Sequence, residues 1–86
     1  MDLKAIAAKM ENVFGVESEF SADEIKVFPV RGNGTAYLID RGEVEFSRGT
    51  TIEAYVYIEY PDGGTVAETL STPGELALWT THLEEK

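Results

Sequence analysis

Between Val16 and Leu70 the apolar residues recur at every second position, in short runs separated by glycine, proline, asparagine and aspartate. A period of two is the signature of half-buried strands, and runs this close together leave no room for crossover helices between them. The segment therefore predicts an antiparallel meander of about five to six strands. Before it, Leu3, Ile6, Ala7, Met10, Val13 and Phe14 recur at spacings of three and four. That spacing draws one apolar stripe on a helix from Asp2 to Phe14, with Asp2 at the positive end of its dipole and Gly15 as its stop. Together they give an α+β class, an N-terminal helix packed on the meander, and one acidic domain over residues 1–86.

The turn residues divide the meander. Val16, Ser18 and Phe20 alternate with Glu17 and Glu19 in a first strand. Ser21-Ala22-Asp23 forms a turn, and Glu24 to Val30 is a second strand that Pro29 restricts to an edge or a bulge. Gly32-Asn33-Gly34 predicts a hairpin, and a three-residue loop there sets Lys26 opposite Asp40. Thr35 to Arg41, Glu43 to Ser47 and Thr51 to Tyr60 follow as strands. The turn at Pro61-Asp62-Gly63-Gly64 returns Thr65 to Leu70 antiparallel. In the tail, Thr72-Pro73-Gly74-Glu75 supplies an N-cap, a proline at N1 and a glutamate at N3, which favours a helix to Glu84 burying Leu76, Trp79 and Leu83. A final strand over Leu76 to Leu83 is the alternative, because those residues also alternate.

On Thr51 to Tyr60, Ile52, Ala54, Val56 and Ile58 share one face and Glu53, Tyr55, Tyr57 and Glu59 the other. The apolar row, with Val44 and Phe46, is the expected seat of the N-terminal helix. A loop at Arg48-Gly49-Thr50 then sets Glu45 opposite Glu53 and Glu43 opposite Tyr55, and the following turn sets Tyr57 opposite Glu68. The outer face so gathers Glu43, Glu45, Glu53, Glu59 and Glu68 around Tyr55 and Tyr57. Opposed carboxylates are unfavourable in a free sheet, and acids around exposed tyrosines suit a basic protein partner. These seven residues are the candidate partner-binding site, beside the plainer reading that charge on a small sheet prevents aggregation.

Charge narrows the partner further. Sixteen Asp and Glu against seven Lys and Arg give −9 at pH 7, which disfavours direct contact with nucleic acid or an anionic membrane. The N-terminus lacks the basic start and apolar block of a signal peptide, and no apolar run reaches membrane-spanning length, so a cytoplasmic location is expected.

No catalytic, metal-binding or cofactor-binding pattern emerges, and an enzyme is not expected. There is no cysteine, and the single histidine, His82, has no nucleophile or fellow ligand at a telling spacing. Asp23-Glu24 and Glu43 with Glu45 lack the looped carbonyls of a calcium site. Gly32, Gly34, Gly63 and Gly64 precede strands, whereas a phosphate loop opens a helix.

In length, acidity, leading helix and carboxylate-studded sheet, the chain resembles the small inhibitors that phages and mobile elements make against host nucleic-acid-binding enzymes, such as uracil-DNA glycosylase inhibitor and some anti-CRISPR proteins. The likeness involves no shared motif and carries no residue across. It implies a DNA-mimic type of inhibitor occupying a basic channel of a nucleic-acid-binding enzyme or complex. The alternative is a structural or assembly module of a virion or multisubunit complex, for which self-association is an open possibility.

Overall fold

The computed structural model describes the backbone at residues 2–46 and 49–84, and the side chains there except at 44–46, 50 and 80–84. The chain runs α1 (Leu3–Phe14), β1 (Lys26–Val30), β2 (Gly34–Phe46), β3 (Gly49–Glu59), β4 (Thr65–Leu70) and α2 (Pro73–Glu84). The four strands form one antiparallel sheet in sequence order. The α+β class and both helices are as expected, with four strands in place of five to six.

Local chemistry explains the helix ends. The Asp2 carboxylate accepts from the Lys4 and Ala5 N–H groups, and Gly15 closes α1 in the left-handed region at φ 73°. At α2 the capping box is reciprocal: the Glu75 N–H donates to Thr72 Oγ1 and the Thr72 N–H to Glu75 Oε1, both at 3.1 Å. The tail is therefore a helix, and Leu76 and Trp79 pack from it onto the sheet. The side chains of His82 and Leu83 lie outside the described residues.

Among the described residues one expected strand is absent and two others are joined into one. Val16 to Phe20 forms no strand: Ser18 sits at φ 53°, which extended pairing does not allow. Ser21 caps a single 3-10 turn over Ala22–Glu24, which delays β1 to Lys26. The strands expected at Thr35 to Arg41 and Glu43 to Ser47 are one strand, β2, broken by a bulge between Asp40 and Glu43 with Gly42 at φ 84°. Pro29 does lie on an edge strand. The first hairpin has a three-residue connection, Arg31–Asn33, but it begins one residue earlier than expected, so Lys26 pairs with Leu38 and not Asp40.

The sheet buries both faces, and this corrects the expected packing of α1. Val30, Ala36, Leu38, Ile52, Ala54, Val56, Ile58 and Leu70 form one core, closed by Leu76 and Trp79 of α2. Ile6, Ala7 and Met10 of α1 instead cover the opposite face, against Phe20, Ile25, Tyr37, Ile39 and Tyr57. Tyrosine at alternate positions, flanked by β-branched residues on the neighbouring strand, is apolar enough to seat a helix when each hydroxyl finds an acceptor. The aliphatic row belongs to α2.

Candidate protein-binding surface

The register decides where the seven expected partner-binding residues go. Phe46 pairs with Gly49, Glu45 with Thr50 and Val44 with Thr51, so the expected Glu45–Glu53 pair does not form. Ser47, the expected end of a strand, and Arg48, the first residue of the expected loop, lie outside the described residues, as does the Glu45 side chain. Glu43 pairs with Ile52 instead of Tyr55 and shares the α2 face of the sheet. After β3, Tyr57 pairs with Ala67, and Glu68 pairs with Val56. That one-residue shift sends Glu68 to the α2 face as well, where its Oε2 accepts from Trp79 Nε1 at 2.9 Å.

Glu53, Tyr55, Tyr57 and Glu59 do share a face, but α1 lies over it. Tyr57 is 4% exposed and stacks on Tyr37 with ring centroids 6.2 Å apart. Tyr55 is half-buried among Phe14 and Phe20, at 5.1 and 4.9 Å. The carboxylates are acceptors for these rings. Tyr57 donates to Glu59 Oε2 at 2.9 Å, and Lys9 of α1 reaches the same oxygen at 3.0 Å. Tyr55 donates to Glu53 Oε2 at 3.0 Å, which also receives Arg41 Nη1 at 3.1 Å.

Arg41 gathers the loop before β1. Its Nε donates to Glu24 Oε1 at 3.0 Å, its Nη2 to Glu24 Oε2 and to the Glu19 carbonyl, and its guanidinium lies over the Phe20 ring. These contacts leave electrostatic marks. Arg41 holds the Glu24 carboxyl below its ordinary value, and Lys9, then Tyr57, do the same to Glu59. Burial and the neighbouring Glu59 push the Tyr57 phenol up to about 12. Burial and Glu53 raise Tyr55 too. These acids join helix and loop to sheet.

An open concave surface lies on the other side, at the bulge. Because Arg41 and Gly42 stand between Asp40, paired with Ala54, and Glu43, paired with Ile52, these two acids become successive residues on the α2 face. Both are exposed. They edge an open cleft of about 520 Å³ whose remaining lining is Gly42, Ile52, Pro73, Leu76 and Ala77. The start of α2 is fixed there by its capping box and by the Ile52 N–H bonding the Ser71 carbonyl at 3.1 Å. Asp40 Oδ1 accepts from the Gly42 N–H at 2.9 Å, which ties the carboxylate to the bulge at the edge of the cleft.

Asp40 was not among the expected site residues. The signal for it was Gly42, which reads equally as a gap between two strands or as a bulge within one. Among the described residues no three acids or histidines converge as metal ligands, and no helix is long and apolar enough to cross a membrane. Comparison with protein families, with curated proteins and with solved structures finds no match to this chain.

Proposed function

We propose that this chain is a protein-binding module that engages a basic partner, and that it inhibits a nucleic-acid-binding protein by occupying the surface where phosphates would sit. The observation that carries the reading is the bulge cleft. Its floor of Ile52, Pro73, Leu76 and Ala77 suits the aliphatic stem of an arginine or lysine, and Asp40 and Glu43 at its edge suit the charged head. The long-range field agrees: residues 49–85 contain seven acids and no lysine or arginine. Such a field speeds encounter with a cationic surface and repels nucleic acid. Glu43 and Glu68 thus remain candidate contacts, whereas Glu53, Tyr55, Tyr57 and Glu59 serve the fold.

The test is capture of partners from cell extract at low and high salt by the parent and by an Asp40→Asn, Glu43→Gln variant. A basic nucleic-acid-handling protein retained at low salt, displaced by added DNA or RNA, and lost from the variant is the expected result. Partners held equally by both proteins at high salt would remove the cleft from the account.

A further inference from the structure

We propose that the free edge of β4 takes an extended, basic segment of the partner as a fifth strand. This inference rests on the basic-partner reading and specifies a second contact and its geometry. The sheet has two edges, and they differ. β1 carries Pro29 and Lys26, two features that discourage pairing, and α2 packs against it. β4 has neither proline nor lysine, its six-residue register with β3 is unbroken, and Thr65 to Thr69 are all exposed.

The hydrogen-bond phase of β4 follows from its first pair. Tyr60 N–H donates to the Gly64 carbonyl at 2.9 Å, so this position is a bonded pair. Antiparallel pairs alternate, so Val66, Glu68 and Leu70 bond to β3, while Thr65, Ala67 and Thr69 direct their N–H and C=O groups away from the sheet. An incoming strand finds three donors and three acceptors at regular spacing, the arrangement used in strand addition.

Charge selects the occupant. A second copy would bring another −9 to the contact, whereas a lysine- or arginine-bearing strand brings the opposite sign. Asp62, before β4, and Glu68, on it, are the acids nearest this edge in sequence. Glu53 and Glu59 on the adjacent strand are already neutralised by Arg41 and Lys9. Cross-strand pairing of a cation with Glu68 is favourable, and Val66, 37% exposed, gives an apolar neighbour on the same face.

The probe is a synthetic peptide of alternating lysine and valine, equal to β4 in length, beside a control of the same charge with proline in place of valine. Two readouts report on the edge: amide hydrogen exchange along β4, and fluorescence of Trp79, whose indole bonds Glu68. The alternating peptide should slow exchange at Thr65, Ala67 and Thr69 while leaving Val66 and Glu68 nearly unchanged, and the proline peptide should not. Ala67→Pro removes an outward donor without touching the β3 ladder, and should weaken binding about tenfold. If that variant does not fold, the exchange pattern of the parent protein decides. Equal binding of both peptides without amide protection would overturn strand addition and leave the basic-partner reading standing. Absence of binding at low salt would overturn it too, and the Asp40, Glu43 capture would then judge that reading alone. Concentration-dependent self-association of the parent, abolished by Ala67→Pro, would assign the edge to a second copy and overturn the proposal.

Discussion

Tyr57 donates its hydroxyl proton to Glu59 two residues along the same strand, at 2.9 Å, and the oxygen that accepts it is also the one held by Lys9 of α1. Successive same-face residues on a strand place an aromatic body under the helix and a carboxylate at the helix's rim. The bond satisfies the polar end of a ring that is otherwise buried, and the ammonium stem ties helix to sheet.

Tyr57→Phe keeps the ring and removes the donor, leaving Glu59 with Lys9 and partial access to water. Its expected cost is about 0.5–1.5 kcal/mol. Tyr57→Ala also empties the space beneath Met10 and beside Tyr37, and should cost about 3–5 kcal/mol, enough to threaten so small a domain. Urea unfolding of the two variants measures the difference; equal, small losses would mean that α1 does not cover the ring.

Titration should reveal the same contacts from both ends of the pH scale. Glu24 and Glu59 have folded-state values below the ordinary 4.5. Their stabilisation is therefore present above that value and is lost as pH falls through the lowered ones. Lys9→Met should flatten the acid limb of stability by removing the larger cause at Glu59. On the alkaline side, Tyr57 rises from 10 to about 12, so its contribution is complete below 10 and disappears as pH rises through about 12. Phenolate absorbance should accordingly show a late-ionising tyrosine in the parent that Tyr57→Phe lacks.

Glycine substitutions separate backbone strain from steric conflict. At Gly42 a Cβ would meet nothing within 4 Å, but φ is +84°. Gly42→Ala should cost about 1–2 kcal/mol through the backbone alone and perturb the bulge that aligns Asp40 with Glu43. At Gly34 φ is ordinary, yet a Cβ would lie 2.7 Å from the Tyr60 ring and 2.8 Å from Val30 Cγ2. Gly34→Ala should cost about 1–3 kcal/mol by overpacking. Pairing it with Tyr60→Ala should restore part of that loss in a double-mutant cycle, whereas no such partner exists for Gly42.

The helices, their caps, the edge position of Pro29 and the alternation on β3 were legible because each depends on a few neighbouring residues. Which helix takes which face was not. Tyr55 and Tyr57 look polar in sequence, and what makes that row fit to be buried is the pair of acceptors two residues away, Glu53 and Glu59, held in turn by the sequence-distant Arg41 and Lys9. The expected pairing of Glu45 with Glu53 and of Glu43 with Tyr55 turned on a single residue too. Register after Asp40 depends on whether Gly42 ends a strand or bulges within it, and one residue of shift turns an apparent carboxylate cluster into separate pairs. The acid edge of the cleft, Asp40 with Glu43, exists only through that shift.

Glu53→Thr is the sharpest test of the register. If Glu45 stood opposite Glu53, replacing one acid by a good strand former would relieve repulsion and raise stability by a few tenths of a kcal/mol. In the observed register Glu45 faces Thr50, and Glu53 instead accepts from both Arg41 and the Tyr55 hydroxyl. The substitution then removes an acceptor from a half-buried tyrosine and one arm of the arginine that holds Glu24 and the Glu19 carbonyl. Partial exposure screens the ion pair, so the expected loss is about 0.5–1.5 kcal/mol, most of it from the hydrogen bonds. Arg41→Met should reduce the effect of Glu53→Thr in a double-mutant cycle, because the two share one network. A gain in stability from Glu53→Thr in urea unfolding would refute the bulged register, and with it the pairing of Asp40 and Glu43 on which the cleft depends.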